Sequence, residues 1–231
     1  GGGAFGSTQN NCTLTGNLAI YGGGAHGCTL NNCTVAGNLA YAYFYDEDNG
    51  YVEYGSGGGA FGSTLNNCIL YFNTAPYGAN YGSFYNSSST LNYSCTTPLP
   101  TNGVGNITSE PGFVDLAGGD LRLRPDSPCV NAGNNALVQT ATELDGNPRI
   151  ADGTVDIGPF ELPVTPTIAI GRLLLLVNDP DLEGRNKQPL LATLSAAVSS
   201  FDRGNQTAAL NQLSAFQHKV RAQIAPRNPA L

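Results

Sequence analysis

No lysine or arginine occurs in the first 121 residues. A surface without cations cannot neutralise phosphates, which excludes nucleic acid as a partner for most of the chain. A lyase acting on an acidic sugar would also lack its basic residue for proton abstraction and charge neutralisation there. Charged residues of either sign make up only 12% of the chain. No apolar run reaches the length of about 18 residues that a membrane-spanning helix needs. P-loop, dinucleotide-binding and nucleophile-elbow patterns are missing. Methionine is absent and no signal-peptide pattern opens the chain. The start at Gly1, inside a repeat, predicts a processed product or a fragment.

The charge that is present is unevenly divided. Residues 1–162 hold 13 acids and 3 arginines, a net of −10, and residues 163–231 hold 4 acids and 7 bases, a net of +3. Opposite signs suit end-to-end or body-to-tail contacts between copies. Two separately solvated surfaces account for the same difference.

The dominant positive signal is repetition. "GGGAFGSTQNNCTLTGN" (Gly1–Asn17) aligns with "GGGAHGCTLNNCTVAGN" (Gly22–Asn38) at an offset of 21 residues. "GGGAFGSTLNNCILYFN" (Gly57–Asn73) follows 35 residues later, which is 21 plus an insertion of 14 near Tyr41–Tyr54. A looser copy, "STLNYSC", spans Ser89–Cys95. A unit of this length fits one coil of a solenoid, and its Gly, Asn and Thr content opposes helix. Within "TLNNCTV", Leu30 and Cys33 are three apart and would face opposite ways in one flat strand. A bend at Asn31-Asn32 turns both inward, and Asn tolerates the left-handed corner. The expected fold is mainly β: a right-handed parallel β-helix with a small C-terminal helical bundle. Asn11, Asn32 and Asn67, with Cys12, Cys33 and Cys68, form the expected structural ladder, stacked about 4.8 Å apart. Gln9 stands where Leu30 and Leu65 stand, so a polar group is expected at one end of the core.

The chain divides into three. Residues 1–100 read as coils with a hairpin insertion near 41–54. Residues 101–162 do not repeat and read as the final coils and a cap, with "DLRLR" alternating like a strand. Residues 163–231 read as a linker, "LPVTPT" (Leu162–Thr167), and three helices. Leu190, Leu191, Leu194, Val198 and Phe201 share one helical face, as do Leu210, Leu213, Phe216, Val220 and Ile224. Gly204-Asn205 separates the two as stop and N-cap. "IGRLLLLVND" supplies a third, shorter helix.

The coils together with "LNYSCTTPLPTNGVGN", "SPCVNAGN", "LDGNPRI" and "VDIGPFE" resemble bacterial choice-of-anchor Q domain proteins over residues 1–162. The closing motif reads "VDIGPFE" where that family suggests "VDIGAYE". The segment "NKQPLLATLSAAVSSFDRGNQTAALNQLSAFQHKVRAQ" resembles a truncated FIMAH helical domain. The resemblance implies a secreted, surface-attached bacterial protein with a β-helical body and an interchangeable C-terminal module. It brings no catalytic residues.

The insertion "YAYFYDEDNGYVEY" places alternating aromatics on either side of Asp48-Asn49-Gly50, a hairpin signal. Tyr41, Tyr43 and Tyr45 would share one face, with Asp46, Asp48, Tyr51 and Glu53 beside them as candidate ligand-binding residues. Such a row suits sugar rings or another subunit. A hairpin that packs its tyrosines back on the solenoid is the competing expectation. The acids also suit Ca²⁺, but "DEDNG" lacks the full EF-hand spacing. A glycosidase needs two carboxylates about the scissile bond, and before residue 100 all the acids (Asp46, Glu47, Asp48 and Glu53) lie in this insertion. His26 falls in the column of Phe5 and Phe61, which favours an aromatic or surface role over catalysis. His218 lies among polar neighbours on a helix.

Six cysteines suggest an oxidising compartment. Cys12, Cys33 and Cys68 would point the same way on parallel coils, poor disulfide geometry, so buried thiols are expected. Cys28 is left open. Cys95 and Cys129 leave that column for the irregular closing region, where loops can turn two sulfurs together, and a disulfide between them is expected.

These features predict an extracellular or cell-surface structural protein acting in adhesion or self-assembly. The alternative is a carbohydrate-binding or polysaccharide-degrading β-helix. No catalytic residue, cofactor or metal is expected. The expected partners are the chain itself, by head-to-tail association, and a surface glycan or matrix. An uncapped first coil would expose unpaired backbone groups as a template for another chain. A contact between different surfaces of successive copies builds a filament unless it closes into a ring.

Overall fold

Each NNC repeat folds into a coil of very short strands, four in each of the first two coils, and successive coils stack in register. The computed structural model describes residues 1–47, 50–84, 87–163, 165–178 and 187–224, with the backbone alone at 44, 51, 83, 84, 87, 223 and 224. The chain forms two units, Gly1–Leu162 and Pro163–Leu231. In the first, Thr8–Asn10, Thr29–Asn31, Thr64–Asn66 and Thr90–Asn92 make one parallel ladder. Thr13–Thr15, Thr34–Ala36, Ile69–Tyr71 and Cys95–Thr96 make a second. Ala4–Phe5, Ala25–His26, Ala60–Phe61 and Tyr81–Phe84 make a third. The result is a mainly β, solenoid-like stack. Its interior is filled by Leu30, Leu65, Leu91, Val35 and Leu70, all fully buried.

The corners explain the repeated asparagine and cysteine. Asn11, Asn32 and Asn67 have φ of 51°, 51° and 52°, the left-handed conformation that Asn tolerates better than other side-chain-bearing residues. Gly6, Gly27 and Gly62 occupy the same conformation at the preceding corner. After such a corner the next N–H turns away from the strand ladder. It is satisfied by a side chain of the following coil. Cys12 N–H donates to Cys33 Sγ at 3.4 Å, Cys33 N–H to Cys68 Sγ at 3.4 Å, and Cys68 N–H to Ser94 Oγ at 3.1 Å. At the glycine corner Cys28 N–H donates to Ser63 Oγ and Ser63 N–H to Ser89 Oγ. At the third corner Asn17, Asn38, Asn73 and Asn80 form the same series. Cys, Ser and Asn exchange in these columns because each is a small acceptor. Gln9 is half-buried, and its amide donates to Ser7 Oγ and accepts from the Cys12 thiol, which spans two corners of its own coil.

A hydrogen-bonded asparagine ladder runs one residue before the corner. Asn31, Asn66 and Asn92 each donate from Nδ2 to the Oδ1 of Asn10, Asn31 and Asn66, at 2.9, 2.9 and 3.1 Å. Asn11, Asn32 and Asn67 stack in position, but among the described residues they are not bonded to one another. The side chains of Asn11 and Asn67 meet a later part of the chain, while the buried Asn32 Nδ2 has no hydrogen-bond partner among the described residues. Asn67 exchanges hydrogen bonds with the backbone of Asn134. Asn11 Nδ2 donates to Thr140 Oγ1 and Thr142 O.

That later part differs from the expected cap. Ile107 extends the stack by one bridge to Cys95, and then residues 113–162 run back along the flank as an arm. The reason is apolar surface. The outward column of the second ladder reads Thr13, Thr34, Ile69, Cys95. Ile69 and Cys95 pack outside the solenoid with Phe113, Leu121, Leu123, Cys129, Ile157 and Phe160 in a second core. The arm is fastened by Arg149, whose side chain is 1% exposed. Its five N–H donors are all used, on Glu161 Oε1 twice and on Asn11 Oδ1, Gly158 O and Phe160 O.

The disulfide expected between Cys95 and Cys129 is not formed: all six cysteines are free thiols. The arm does bring these two side by side, and their mutual hydrogen bond is the largest cause raising the Cys129 thiol. Cys95 Sγ also donates to Ser109 O at 3.1 Å, and the backbone N–H of Cys129 donates to Ser127 Oγ at 3.1 Å.

The second unit holds α1 (Pro166–Asn178), α2 (Lys187–Asp202) and α3 (Gln206–Ile224). Pro166 opens α1, where its missing N–H costs nothing. Asn205 Oδ1 accepts from Ala208 N–H as the N-cap of α3, after Gly204 at φ 73°. Ile170, Val177, Leu190, Leu194 and Ala197 form its core.

Candidate functional site

The insertion is an antiparallel ribbon of Ala42–Asp46 and Gly50–Tyr54. Its feet are tied to the first coil by Tyr41 N–H to Ala19 O at 2.8 Å and Ser56 N–H to Ile20 O at 3.2 Å. Gly55 is required at one foot, because a Cβ there would lie 2.4 Å from Ala40 O.

Residues directly opposite across such a ribbon share a face. Glu53 is opposite Tyr43, and Tyr51 is opposite Tyr45. Tyr54, opposite Ala42, therefore belongs to the other face. Its hydroxyl bonds the Tyr21 hydroxyl, and the two rings meet edge to face at 5.6 Å. Tyr21 packs in turn on Phe61 and His26. Phe5, His26 and Phe61 stack edge to face at 5.2 and 5.3 Å down the outside of the third ladder. Burial pushes the His26 pKa down, toward the neutral ring. His26 is thus one rung of an aromatic column that anchors the hairpin.

The first face is the candidate site. Tyr43 and Tyr45 are 62% and 65% exposed. Tyr41 is half-buried, and its ring meets that of Tyr43 at 4.9 Å and 79°. The Tyr41 hydroxyl donates to Glu53 Oε1 at 3.2 Å. Its bond with the Tyr43 hydroxyl, and then burial and the Glu53 charge, push the Tyr41 pKa up, so the site carries phenols rather than phenolates. Asp46 closes the strand and Glu47 is exposed at the turn. Asp48 lies outside the described residues, and of Tyr51 only the backbone is described. The arrangement offers aromatic faces and a carboxylate held in place by a phenol. Among the described residues no three His, Cys, Asp or Glu side chains gather as a metal site would require.

Several acids of the arm are engaged within it. Asp120 and Asp145 both pair with Arg122 at 3.1 and 2.8 Å. Asp156 accepts from the backbone of Asn131 and Leu162, and Glu161 pairs with Arg149. A groove of about 270 Å³ runs between the arm and the first two coils, with Thr13, Thr15 and Ala36 on one side and Leu121 and Phe160 on the other. Sequence reasoning missed the arm. The available signal was the change from Thr13 and Thr34 to Ile69 and Cys95 in one outward column.

Comparison with protein-family models, with curated proteins and with solved structures finds no match to this chain.

Proposed function

We propose that this chain is a right-handed parallel β-helical structural protein, secreted or displayed on a bacterial surface, that acts in adhesion or assembly. The observation that carries the reading is the hairpin. Its inner face is anchored through Tyr54 and Tyr21, while Tyr43 and Tyr45 on the outer face stand in solvent. Large aromatic side chains are costly to leave exposed, and they are typical anchors of binding surfaces. The solenoid acts as a rigid mount. The resemblance of the closing motifs to choice-of-anchor Q domains, and of the tail to a FIMAH domain, supports a surface location. Assembly of copies is the second mode of the same proposal, supported by the regular register with which each coil receives the next.

The test is a binding screen of the full chain against bacterial surface material, matrix and a second copy, run beside Tyr43→Ala/Tyr45→Ala. Binding that is lost in the double variant supports the proposal. Equal binding by both forms removes the hairpin from it. Light scattering that shows only monomer at all concentrations removes self-assembly.

A further inference from the structure

The proposed binding face leaves the chemistry of the partner open, and its charge narrows the choice. Glu53 shares the face of Tyr43 and Tyr45, and Glu47 is exposed at the turn, while Asp46, opposite Gly50, belongs to the anchored face. No lysine or arginine occurs before Arg122. The whole first unit carries a net of −10. We infer that the hairpin face takes a cationic partner: a protein segment whose lysine or arginine side chains lie over the tyrosine rings and reach the carboxylates. The inference rests on the reading of the hairpin as a binding face.

The geometry suits a cation better than a neutral ring. Tyr41 and Tyr43 meet edge to face, so they present ring faces in two directions rather than one flat platform. The π-face of a tyrosine attracts a guanidinium or ammonium group. Glu53 is opposite Tyr43 in the ribbon and is held by the Tyr41 hydroxyl, which places a negative charge beside those faces. A guanidinium stacked on the ring then has a carboxylate to donate to. A neutral glycan would gain stacking, but nothing from a net charge concentrated in one ribbon. The acidic body adds long-range attraction for a basic segment, and salt weakens that attraction.

The experiment uses the full chain and three probes: a soluble peptide of alternating glycine with lysine and arginine, the same peptide with glutamine in place of each cation, and a neutral oligosaccharide. The expected result is binding of the basic peptide alone, weakening as salt is raised. Tyr43→Ala/Tyr45→Ala should weaken it about tenfold. Glu53→Gln keeps the acceptor for Tyr41 and removes the charge, and should weaken it about threefold. Unchanged affinity in the double tyrosine variant would overturn the inference, because the body's general acidity would then account for all the attraction. Salt-insensitive binding of the oligosaccharide, lost in the tyrosine variant, would keep the binding face and overturn the cationic partner. Failure of all three probes also overturns it, and the surface screen then decides separately whether the hairpin binds anything.

Discussion

Ile69, Tyr71 and Cys95 on one flank, and Phe5, Tyr43 and Tyr45 on another, all face outward from the same solenoid. The first three pack under the chain's own arm, in a second core with Phe113, Leu121 and Phe160. The other three are each more than 60% exposed. Similar side chains therefore serve two purposes. On the covered flank they bind a segment of their own chain, and each Å² of apolar surface removed from water contributes about 25 cal/mol. That contact is fastened by a buried guanidinium. On the open flank the ribbon is held at its feet and through Tyr54 and Tyr21, while Tyr43 and Tyr45 stay mostly exposed. Such an exposed aromatic face is the kind a partner would cover.

The comparison is broken most strongly at Arg149. Arg149→Met leaves Asp156 and Glu161 buried without their cation, and the expected loss is about 3–5 kcal/mol by urea unfolding of the full chain. A loss below about 1 kcal/mol would show that the arm is fastened elsewhere.

Acidity gives the next effect. Burial, and then the neighbouring Asp156, raise Glu161 from 4.5 to about 7, against the opposing pull of Arg149. The folded state therefore binds this proton more tightly than the unfolded state. The resulting stability is fully present below about pH 4.5 and is lost as pH rises through about 7, amounting to at most about 3 kcal/mol. Melting temperature measured from pH 5 to pH 8 should fall along this limb, and Glu161→Gln should flatten it. An equal slope in the variant would assign the pH dependence to other groups.

The corner columns come third. Cys68→Val removes the acceptor for the buried Cys33 N–H and should cost about 1–3 kcal/mol. Cys68→Ser keeps an acceptor, as Ser94 does in the next coil, and should cost clearly less. Equal costs would mean that the thiol matters for volume alone. The smallest effect belongs to the open flank: Tyr43→Ala/Tyr45→Ala should change stability by less than about 0.5 kcal/mol. A larger loss would place those rings in the fold rather than in a binding face.

The coils were legible because the repeat states them three times. The spacing of Leu30 and Cys33 requires a corner, and only a few residues accept the left-handed conformation there, so the bend at Asn32 followed from residue type. The hairpin was legible from its alternating tyrosines about Asp48-Asn49-Gly50. The role of the cysteines was not. A small polar residue after a corner reads equally well as a thiol, a ligand or filler until the next coil is seen to direct an N–H at it. The Cys95–Cys129 pair shows the same limit, since neighbours in space need not be bonded.

Local chemistry in the sequence determined the strands, the left-handed corners, the helix start after Asn205 and the acidity of the ribbon, while α1 begins at Pro166, inside the expected linker. Each of these depends on a few adjacent residues and on backbone sterics. The tertiary structure alone decided which outward faces are covered. Arg149 reaches Asn11 across 138 positions of sequence, and Asn134 reaches Asn67 across 67. No local pattern encodes such contacts, because they arise from apolar surface that becomes contiguous only after the coils have stacked.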